Sequence, residues 1–176
     1  DAARIAMLQT GEADVIYPVP TTDVGQIEGD PSIIIDVAPA TTYRYVTLNT
    51  EWALPDGRKP FADKRVRQAF NYAFDSEAYA KVVFNGYAKE PTSIFSDSIR
   101  FFAEQTPYKP DLEKAKALMK EAGFEDGFDV ELIVDNTTIE QKGAVFVQQQ
   151  LSQINVNVKV LPNESTANAE KTSAPL

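Results

Sequence analysis

Apolar residues recur with helical spacing in several segments of this chain, most clearly in residues 63–74. One stripe there repeats at intervals of three and four positions: Val66, Ala69, Phe70, Ala73 and Phe74. Asp63 precedes the stripe, and its carboxylate is a good N-cap because it accepts the free amide hydrogens of a first helical turn. The stripe therefore predicts an amphipathic helix with one buried face. Weaker forms of the pattern predict further helices, at residues 2–10, 22–28, 76–85 and 111–122.

The last third of the chain shows strand, helix and strand patterns in succession. Residues 130–134 are an apolar run that predicts a strand, and valines alternate with polar residues in a second strand over residues 156–160. Between them, Thr137 and Glu140 form a capping-box pattern, in which each side chain satisfies a backbone donor of the other. The helix that follows is expected to run to about residue 153. This order predicts a βαβ unit with two parallel strands.

Three shorter apolar runs predict additional strands, at residues 15–17, 33–35 and 43–48. Residues 50–62 and 87–110 show no apolar period and are expected to be loops, the first anchored by Trp52. A loop as long as the second is usually functional or disordered. Gly123 followed by Phe124 indicates a Schellman stop at the end of the preceding helix.

Composition limits the classes of function that apply. With 176 residues, 43% hydrophobic and 24% charged, the chain has the make-up of an ordinary globular domain with a sizeable core. Its formal net charge of −9 repels phosphate backbones, which argues against a nucleic acid as a partner. No apolar run reaches the roughly 18 residues of a membrane span, so the sequence predicts no transmembrane helix.

The chain contains no histidine and no cysteine. Triads built on either residue, and metal sites built on imidazole or thiolate, are therefore impossible within it. No glycine-rich phosphate loop is present. Neighbouring carboxylates such as Glu12 and Asp14 are the remaining acid–base material, and such surface pairs are usually only solvated charge. The residues thus lead us to expect no cofactor, no metal and no catalysis.

The segment from Pro60 to Asp75 reads Pro-Phe-Ala-Asp-Lys-Arg-Val-Arg-Gln-Ala-Phe-Asn-Tyr-Ala-Phe-Asp. It closely resembles the signature of the family 5 extracellular solute-binding proteins, the peptide-, nickel- and glutathione-type receptors of ABC importers. The resemblance continues upstream, in Gly-Glu-Ala-Asp at 11–14 and in a strand-like segment that ends in Asn49, and downstream over residues 108–124. Because the matching segments cover nearly the whole chain in order, they are more specific than any single motif.

The resemblance implies an α/β fold, one lobe of a periplasmic-binding-protein-like (type II) fold. A mixed sheet flanked by helices and a C-terminal parallel βαβ unit are expected. Residues 1–176 are expected to form a single lobe, the second large lobe of a longer bilobed receptor, with residues 163–176 as a loosely ordered tail.

The function that the resemblance implies is capture of a peptide or related small solute in a cleft between lobes. The solute would then be delivered to ABC permease subunits. The implied partners are the solute, the permease and the other lobe of the same receptor. The implied location is periplasmic or extracellular, with lipoprotein anchoring as one way of staying at the membrane.

The first candidate ligand site follows the strand at 130–134. Asp135, Asn136 and Thr137 lie between this strand and a helix, at the edge where ligands bind in open α/β sheets. A purely structural role is equally compatible, with Thr137 as a helix cap and Asp135 in a turn. The resemblance places this connection at the interlobe cleft, where dipeptide receptors carry an arginine for the ligand carboxylate. This chain has no arginine there, which argues against dipeptide specificity.

The second candidate site is the segment 92–102, which mixes aromatic, small polar and cationic side chains. Its candidate ligand residues are Phe95, Ser96 and Arg100, because such a mixture suits the wall of a ligand cleft. Arg100 is the cation placed to meet a ligand carboxylate. Phe101 and Phe102 are expected to pack onto the lobe and hold the loop in place.

Two other classes of function stay open from the residues alone. A small carboxylate-dependent enzyme requires a deep pocket with two acids of perturbed pKa. A ligand-free interaction module that reuses the fold requires a broad exposed apolar face and a stable partner. Arg65 and Arg67 lie in the first turns of a helix and are candidate anion ligands, but salt bridges to nearby acids that fix the helix on the domain are the simpler role for them.

Overall fold

The computed structural model of the chain describes residues 2–38, 40–93, 95–97 and 99–164. Within these ranges the helices and strands are α1 (Ala2–Thr10), α2 (Lys64–Ala73), α3 (Ser76–Phe84), α4 (Leu112–Glu121), β1 (Phe128–Asp135), α5 (Thr138–Ser152) and β2 (Val156–Asn163). None of the helices within those ranges combines the length and hydrophobicity that a membrane span needs. Most of the expected C-terminal tail, residues 165–176, lies outside the described residues.

The C-terminal βαβ unit is confirmed. β1 and β2 pair in parallel, from Phe128 opposite Val156 to Asp135 opposite Asn163, and α5 connects them and packs against both. Its buried residues lie at the helical spacing that the sequence predicts: Gly143, Ala144, Phe146, Val147 and Leu151. The α/β architecture therefore has a small parallel sheet covered by helices.

Three helices begin at an aspartate whose carboxylate accepts a backbone hydrogen bond from the first turn. Asp63 accepts from Arg65 N at 2.8 Å before α2, Asp75 from Ala78 N at 2.8 Å before α3, and Asp111 from Lys114 N at 2.9 Å before α4. Each bond satisfies a donor that has no partner inside the helix.

The end of α4 is the Schellman stop that Gly123 and Phe124 predict. Gly123 N donates to Lys120 O at 3.0 Å, and Phe124 N donates to Met119 O at 2.8 Å. Gly123 has a φ of +79°, which glycine adopts without steric cost. The side chain of Phe124 is buried, so this turn also contributes to the core.

One hydrophobic core joins α2, α4, α5 and the two strands. Its most deeply buried members are Val66, Ala69, Ala115, Met119, Ile154, Val156 and Val158. Trp52 packs on this core and stacks on Phe61 with ring centroids 5.5 Å apart, which confirms that it anchors the loop of residues 50–62. Ile5, Val24 and Ile27 are buried outside this cluster, where Gln9 Nε2 of α1 donates to Gln26 O at 3.4 Å.

The predictions for the N-terminal segments are mostly wrong beyond α1. Residues 15–17, 33–35 and 43–48 do not form strands, and Val15, Tyr17 and Ile34 are 83%, 88% and 94% exposed. Only a 3₁₀ turn, Val24–Gln26, replaces the helix expected at 22–28. An apolar run becomes a strand only where another strand supplies hydrogen-bond partners, and the two described strands pair with each other.

Arg65 and Arg67 both hold α2 in place, Arg65 through a salt bridge and Arg67 through hydrogen bonds to backbone carbonyls. The guanidinium of Arg65 pairs with Asp63 at 2.6 Å and donates to Glu121 O at 2.7 Å, which ties α2 to the end of α4. Arg67 instead donates to two backbone carbonyls, Phe61 O at 2.7 Å and Ala62 O at 3.0 Å. The salt bridge expected for Arg67 is therefore wrong, because nearby carbonyls accept its donors.

The pair of Asp63 and Arg65 predicts a pH dependence of stability. The hydrogen bond from the Arg65 side chain lowers the pKa of Asp63 below its ordinary value in the folded chain. A lowered folded-state pKa contributes stability above the unfolded-state value of about 3.9, and this contribution is lost as the pH falls through the folded-state pKa. We expect Asp63→Asn to lower the free energy of unfolding by about 0.5 kcal/mol at neutral pH, and by less near pH 2.5.

Urea unfolding of wild type, Asp63→Asn and Asp63→Ala at both pH values tests this expectation. Asparagine at position 63 still caps α2 but carries no charge. The difference in free energy of unfolding between Asp63→Asn and Asp63→Ala therefore reports the cap alone, about 1 kcal/mol. This difference is expected not to change with pH. A constant gap between wild type and Asp63→Asn across the pH range would contradict the assignment.

Candidate functional site

The connection from β1 to α5 carries the first group of predicted ligand residues. Asn136 N donates to Asn163 O at 2.8 Å, beyond the last paired residues of the sheet. The Asn136 side chain accepts from Gln141 Nε2 at 2.8 Å and donates to Glu164 at 3.3 Å. Thr137 N donates to Asp135 O at 2.8 Å. The connection is therefore held in one conformation at the carboxyl edge of the sheet, with Asn136 and Thr137 exposed.

Only half of the predicted capping box is formed at the start of α5. Thr137 Oγ1 accepts from Glu140 N at 3.3 Å, as expected. The return bond, from the Thr137 amide to the Glu140 carboxylate, does not form, because this amide donates to Asp135 O at 2.8 Å instead; the Glu140 carboxylate accepts from the guanidinium of Arg44.

Tyr79 of α3 lies beside this ion pair. Burial raises the pKa of the Tyr79 hydroxyl, and the negative charge of Glu140 raises it further, whereas Arg44 opposes the shift. Gly143 leaves the room that this side chain occupies, because a Cβ there would lie 2.6 Å from the Tyr79 hydroxyl. The first turns of α5 thus have a half-buried phenol, a carboxylate and a guanidinium in one place.

The second group of predicted residues lies in the loop after α3. Phe95 is 58% exposed, and Ser96 Oγ donates to Ala40 O at 3.4 Å. Lys89 forms an ion pair with Asp97 in the same loop. Ile94 and Ser98, which belong to the predicted segment, lie outside the described residues.

Arg100 and Phe101 form a unit at the surface of this loop. The guanidinium carbon of Arg100 lies 4.9 Å from the centroid of the Phe101 ring. Phe101 is 89% exposed and has a φ of +68°, which is rare for a large side chain. The expectation that Phe101 packs onto the lobe is therefore wrong, whereas Phe102 is partly buried.

Residues 40–44 connect the two groups. Ser96 contacts Ala40 from one side, and Arg44 contacts Glu140, three positions beyond Thr137, on the other. The sequence did not point to Arg44 or Tyr79 as neighbours of the candidate site. Arg44 and Glu140 are 96 positions apart, and no local pattern signals such a contact.

An open groove lies next to the first group, between α3 and α5. Its volume is about 400 Å³, and its walls are formed by Val82, Gln141, Lys142, Val145, Phe146 and Gln149. A binding pocket usually encloses most of its ligand. This groove is open to solvent, so a further wall is needed before a solute is enclosed there.

The arrangement suits the binding of a ligand. No group of three or more acidic, histidine or cysteine side chains that suits a metal ion occurs in the described ranges. The residues that the structure brings together are hydrogen-bonding side chains and an ion pair, which can orient a ligand. The comparison with known proteins agrees with this view.

Residues 1–174 match the family model described as bacterial extracellular solute-binding proteins, family 5 middle. The chain belongs to this family. Membership confirms the resemblance that the sequence shows around residues 60–75, and the relatives in the family are binding proteins. It also agrees with the observed architecture, since the similar solved structures have type II periplasmic-binding-protein folds.

Curated relatives include glutathione-binding proteins of the same family. The chain is 37% identical over 158 residues to glutathione-binding protein GsiB of Pectobacterium atrosepticum, which is 89% of this chain and 30% of that protein. The same protein from Salmonella typhimurium is also 37% identical over 158 residues. The chain therefore spans about a third of the length of these relatives.

Solved structures with the same fold include peptide complexes. The periplasmic binding protein DppA of Helicobacter pylori, in complex with the peptide STSA, is 32% identical with a TM-score of 0.84, over 97% of this chain and 32% of that chain. The oligopeptide-binding protein AppA of Bacillus subtilis, in complex with a nonapeptide, is 26% identical with a TM-score of 0.74, over 99% and 36%. The fold predicted for the chain is thus confirmed.

Proposed function

We propose that this chain is part of the substrate-binding component of an ABC importer. In this proposal it forms one lobe of a longer receptor, which captures a peptide or related small solute between lobes and delivers it to permease subunits. The observation that carries the proposal is the close structural similarity to DppA in complex with a peptide. Family membership over residues 1–174 supports it independently.

The exposed apolar side chains of the N-terminal segments support a second lobe as a partner. Val15, Tyr17, Ile34 and Tyr45 are each more than 70% exposed. In the proposal these side chains, which lie in one N-terminal stretch of the chain, belong to a surface that contacts another part of the receptor. In the proposal, the remainder of the receptor covers these side chains and supplies the second wall of the cleft. The receptor acts in the periplasm or outside the cell, where a lipoprotein anchor is one means of retention.

The six predicted ligand residues form the part of the cleft that this chain supplies. Asp135, Asn136 and Thr137 lie at the carboxyl edge of the sheet, and Phe95, Ser96 and Arg100 lie in the loop after α3. The polar side chains of Asp135, Asn136 and Thr137 orient the solute. The ring of Phe95 offers it an apolar contact, and the guanidinium of Arg100 a charged one. Closure of the two lobes about the hinge between them would bury the solute against both groups of residues.

Calorimetry on the full-length receptor and on the 176-residue chain, with a mixture of short peptides as probe, tests this function. We expect the receptor to bind peptides with a dissociation constant of about 1 μM or tighter, and the chain alone to bind at least about 100-fold more weakly. Micromolar binding by the chain alone, or no peptide binding by the receptor, would contradict the proposal.

Substitutions in the full-length receptor test the site residues. Arg100→Ala and Asn136→Ala are each expected to weaken peptide binding by about 10-fold, the value of one charge-assisted or well-placed hydrogen bond. Lys116→Ala is the matched control, because Lys116 is exposed on α4 and its nearest acid, Glu113, lies 3.9 Å away. Equal effects of all three changes would place the site elsewhere.

A further inference from the structure

Phe101 presents a large apolar ring to solvent in the loop after α3. The residue is almost fully exposed, whereas the next residue along the chain, Phe102, is partly buried. Single exposed apolar residues are common on protein surfaces, so exposure alone carries no function. Two further observations set Phe101 apart from an ordinary surface residue: the conformation of its backbone and its contact with Arg100.

The backbone of Phe101 has a conformation that a bulky residue rarely adopts. Its φ is +68°, and the other non-glycine residues with a positive φ in the described ranges are Asn85 and Asn155. Asparagine tolerates this region well, whereas a residue as large as phenylalanine adopts it at a cost in free energy. Conformations of this kind concentrate at ligand-binding positions, where the surrounding contacts hold them. The backbone therefore indicates a role for Phe101 beyond the folding of the loop.

Hydrogen bonds within the loop hold Phe101 in this position. Phe102 N donates to Ile99 O at 3.1 Å, so the chain turns tightly around Phe101. Gln105 N donates to Thr92 O at 2.9 Å and closes the loop at its base. A ring that is carried by a fixed backbone loses little conformational freedom when a ligand contacts it.

The guanidinium of Arg100 lies over one face of the Phe101 ring, with its central carbon 4.9 Å from the ring centroid. A planar cation is attracted to the electron-rich face of an aromatic ring and stacks on it. Because the ring is otherwise exposed, this contact leaves its second face open to a partner. A further aromatic ring fits that face, since two rings in offset or edge-on contact are stabilised beyond the area that they bury.

The loop that carries Phe101 lies beside the connection between β1 and α5. Ser96 of the loop donates to Ala40 O at 3.4 Å. Four positions further along that stretch, Arg44 pairs with Glu140 in the first turn of α5. A ring in this loop is thus close to the region in which the proposed cleft holds its solute.

We propose that Phe101 is a specificity-determining residue that stacks on an aromatic side chain of the bound peptide, while Arg100 supports the ring from its other face. This inference rests on the function proposed above, and it makes peptides with an aromatic side chain the preferred solutes. The contact recognises a side chain of the peptide and neither of its ends. Phe101 is not one of the six ligand residues that the sequence predicts.

The test uses the full-length receptor and five tetrapeptides: tetra-alanine and the four peptides in which tyrosine replaces one alanine. In calorimetry, wild type is expected to bind about 10-fold more tightly when tyrosine occupies one of the four positions, the value of a buried pair of rings. Phe101→Ala is expected to reduce this gain to less than about 2-fold and to leave the binding of tetra-alanine unchanged. Unchanged binding of tetra-alanine also shows that the variant is folded.

Two further substitutions at this position and one further peptide separate ring stacking from simple apolar burial. Phe101→Trp keeps an aromatic ring and is expected to keep the gain from tyrosine, whereas Phe101→Leu is expected to lose most of it. For wild type, a peptide with leucine in place of the favoured tyrosine is expected to bind about 3-fold more weakly than the tyrosine peptide.

Tyr108→Ala is the matched control in a different part of the surface. Tyr108 is an exposed aromatic residue whose ring packs edge-on against Tyr72 of α2, with ring centroids 4.9 Å apart. This variant is expected to keep the gain of wild type from tyrosine. A loss equal to that of Phe101→Ala would overturn the assignment, because any exposed aromatic residue would then have the same effect.

The remaining outcomes separate this inference from the proposed function. A receptor that binds none of the five peptides contradicts the function itself. Equal binding of all five peptides by wild type overturns the role of Phe101 and leaves the peptide-binding function standing. The same holds if Phe101→Ala or Phe101→Leu keeps the full gain, or if leucine and tyrosine peptides bind equally. A Phe101→Ala receptor that binds all five peptides more weakly by the same factor also overturns it, and indicates that the ring contacts another part of the receptor.

Discussion

Replacing Gly127 with alanine is expected to lower the free energy of unfolding by about 2–5 kcal/mol. Gly127 has a φ of +74°, a conformation that alanine adopts only with strain. A Cβ at this position would lie 1.7 Å from Asn155 O and 2.3 Å from Asn155 C. Both contacts are with backbone atoms, which cannot rotate away as a side chain does. The strands β1 and β2 would have to move apart where their pairing begins.

Gly57→Ala is the matched control for this prediction. Gly57 also has a positive φ, of +86°, and no atom lies within 4 Å of the place where its Cβ would be. Its substitution therefore carries the conformational cost alone, about 1–2 kcal/mol. Urea unfolding of both variants, followed by circular dichroism, measures the difference. Equal losses would show that the approach of Gly127 to Asn155 is not tight in solution.

Replacing Phe128 with alanine is expected to cost about 3–5 kcal/mol. Phe128 is 8% exposed and begins β1 in the middle of an aromatic cluster. Ring centroids of its neighbours lie 5.6–6.2 Å away: Trp52, Phe61, Phe70 and Phe124. The substitution removes these contacts and leaves a cavity that rigid neighbours cannot fill. Because β1 carries Asp135 at its other end, solute binding by the full-length receptor is expected to weaken as well.

Phe101→Ala is the control for the loss of an aromatic ring. The ring of Phe101 is 89% exposed and contacts the guanidinium of Arg100. Its removal is expected to change the free energy of unfolding by less than about 0.5 kcal/mol. Chemical denaturation of the two variants side by side measures the contrast. A small effect at Phe128 would mean that the cluster is not part of the cooperative core.

These two predictions depend on different kinds of information. The sequence predicted the central part of this strand, residues 130–134, and the buried faces of the helices that cover it, but not that the strand begins at Phe128. It did not indicate that the backbone at Gly127 approaches the backbone at Asn155, because the contact joins turns before two separate strands. A glycine that no other residue can replace without a clash looks, in the sequence, like any other turn glycine.

The candidate site shows the same division. Asp135, Asn136 and Thr137 were placed correctly at the end of a strand and the start of a helix, since local signals mark both boundaries. The same signals favoured a reciprocal bond between Thr137 and Glu140, which does not form because the Thr137 amide donates to Asp135 O. Likewise, nothing local indicated that Phe101 faces solvent, since an aromatic residue in a loop is compatible with either environment.

The sequence by itself determined the helices from α2 to α5, the caps Asp63 and Thr137, the stop at Gly123 and the parallel βαβ unit, and the motif of residues 60–75 indicated the family. These features depend on spacing and on side chains a few positions apart. Only the tertiary structure decided that residues 15–17, 33–35 and 43–48 are not strands here, and that Arg44 reaches Glu140. Strand pairing and ion pairs between distant residues depend on which segments pack together in the folded chain. That packing is determined by contacts throughout the fold, which no local pattern in the sequence shows.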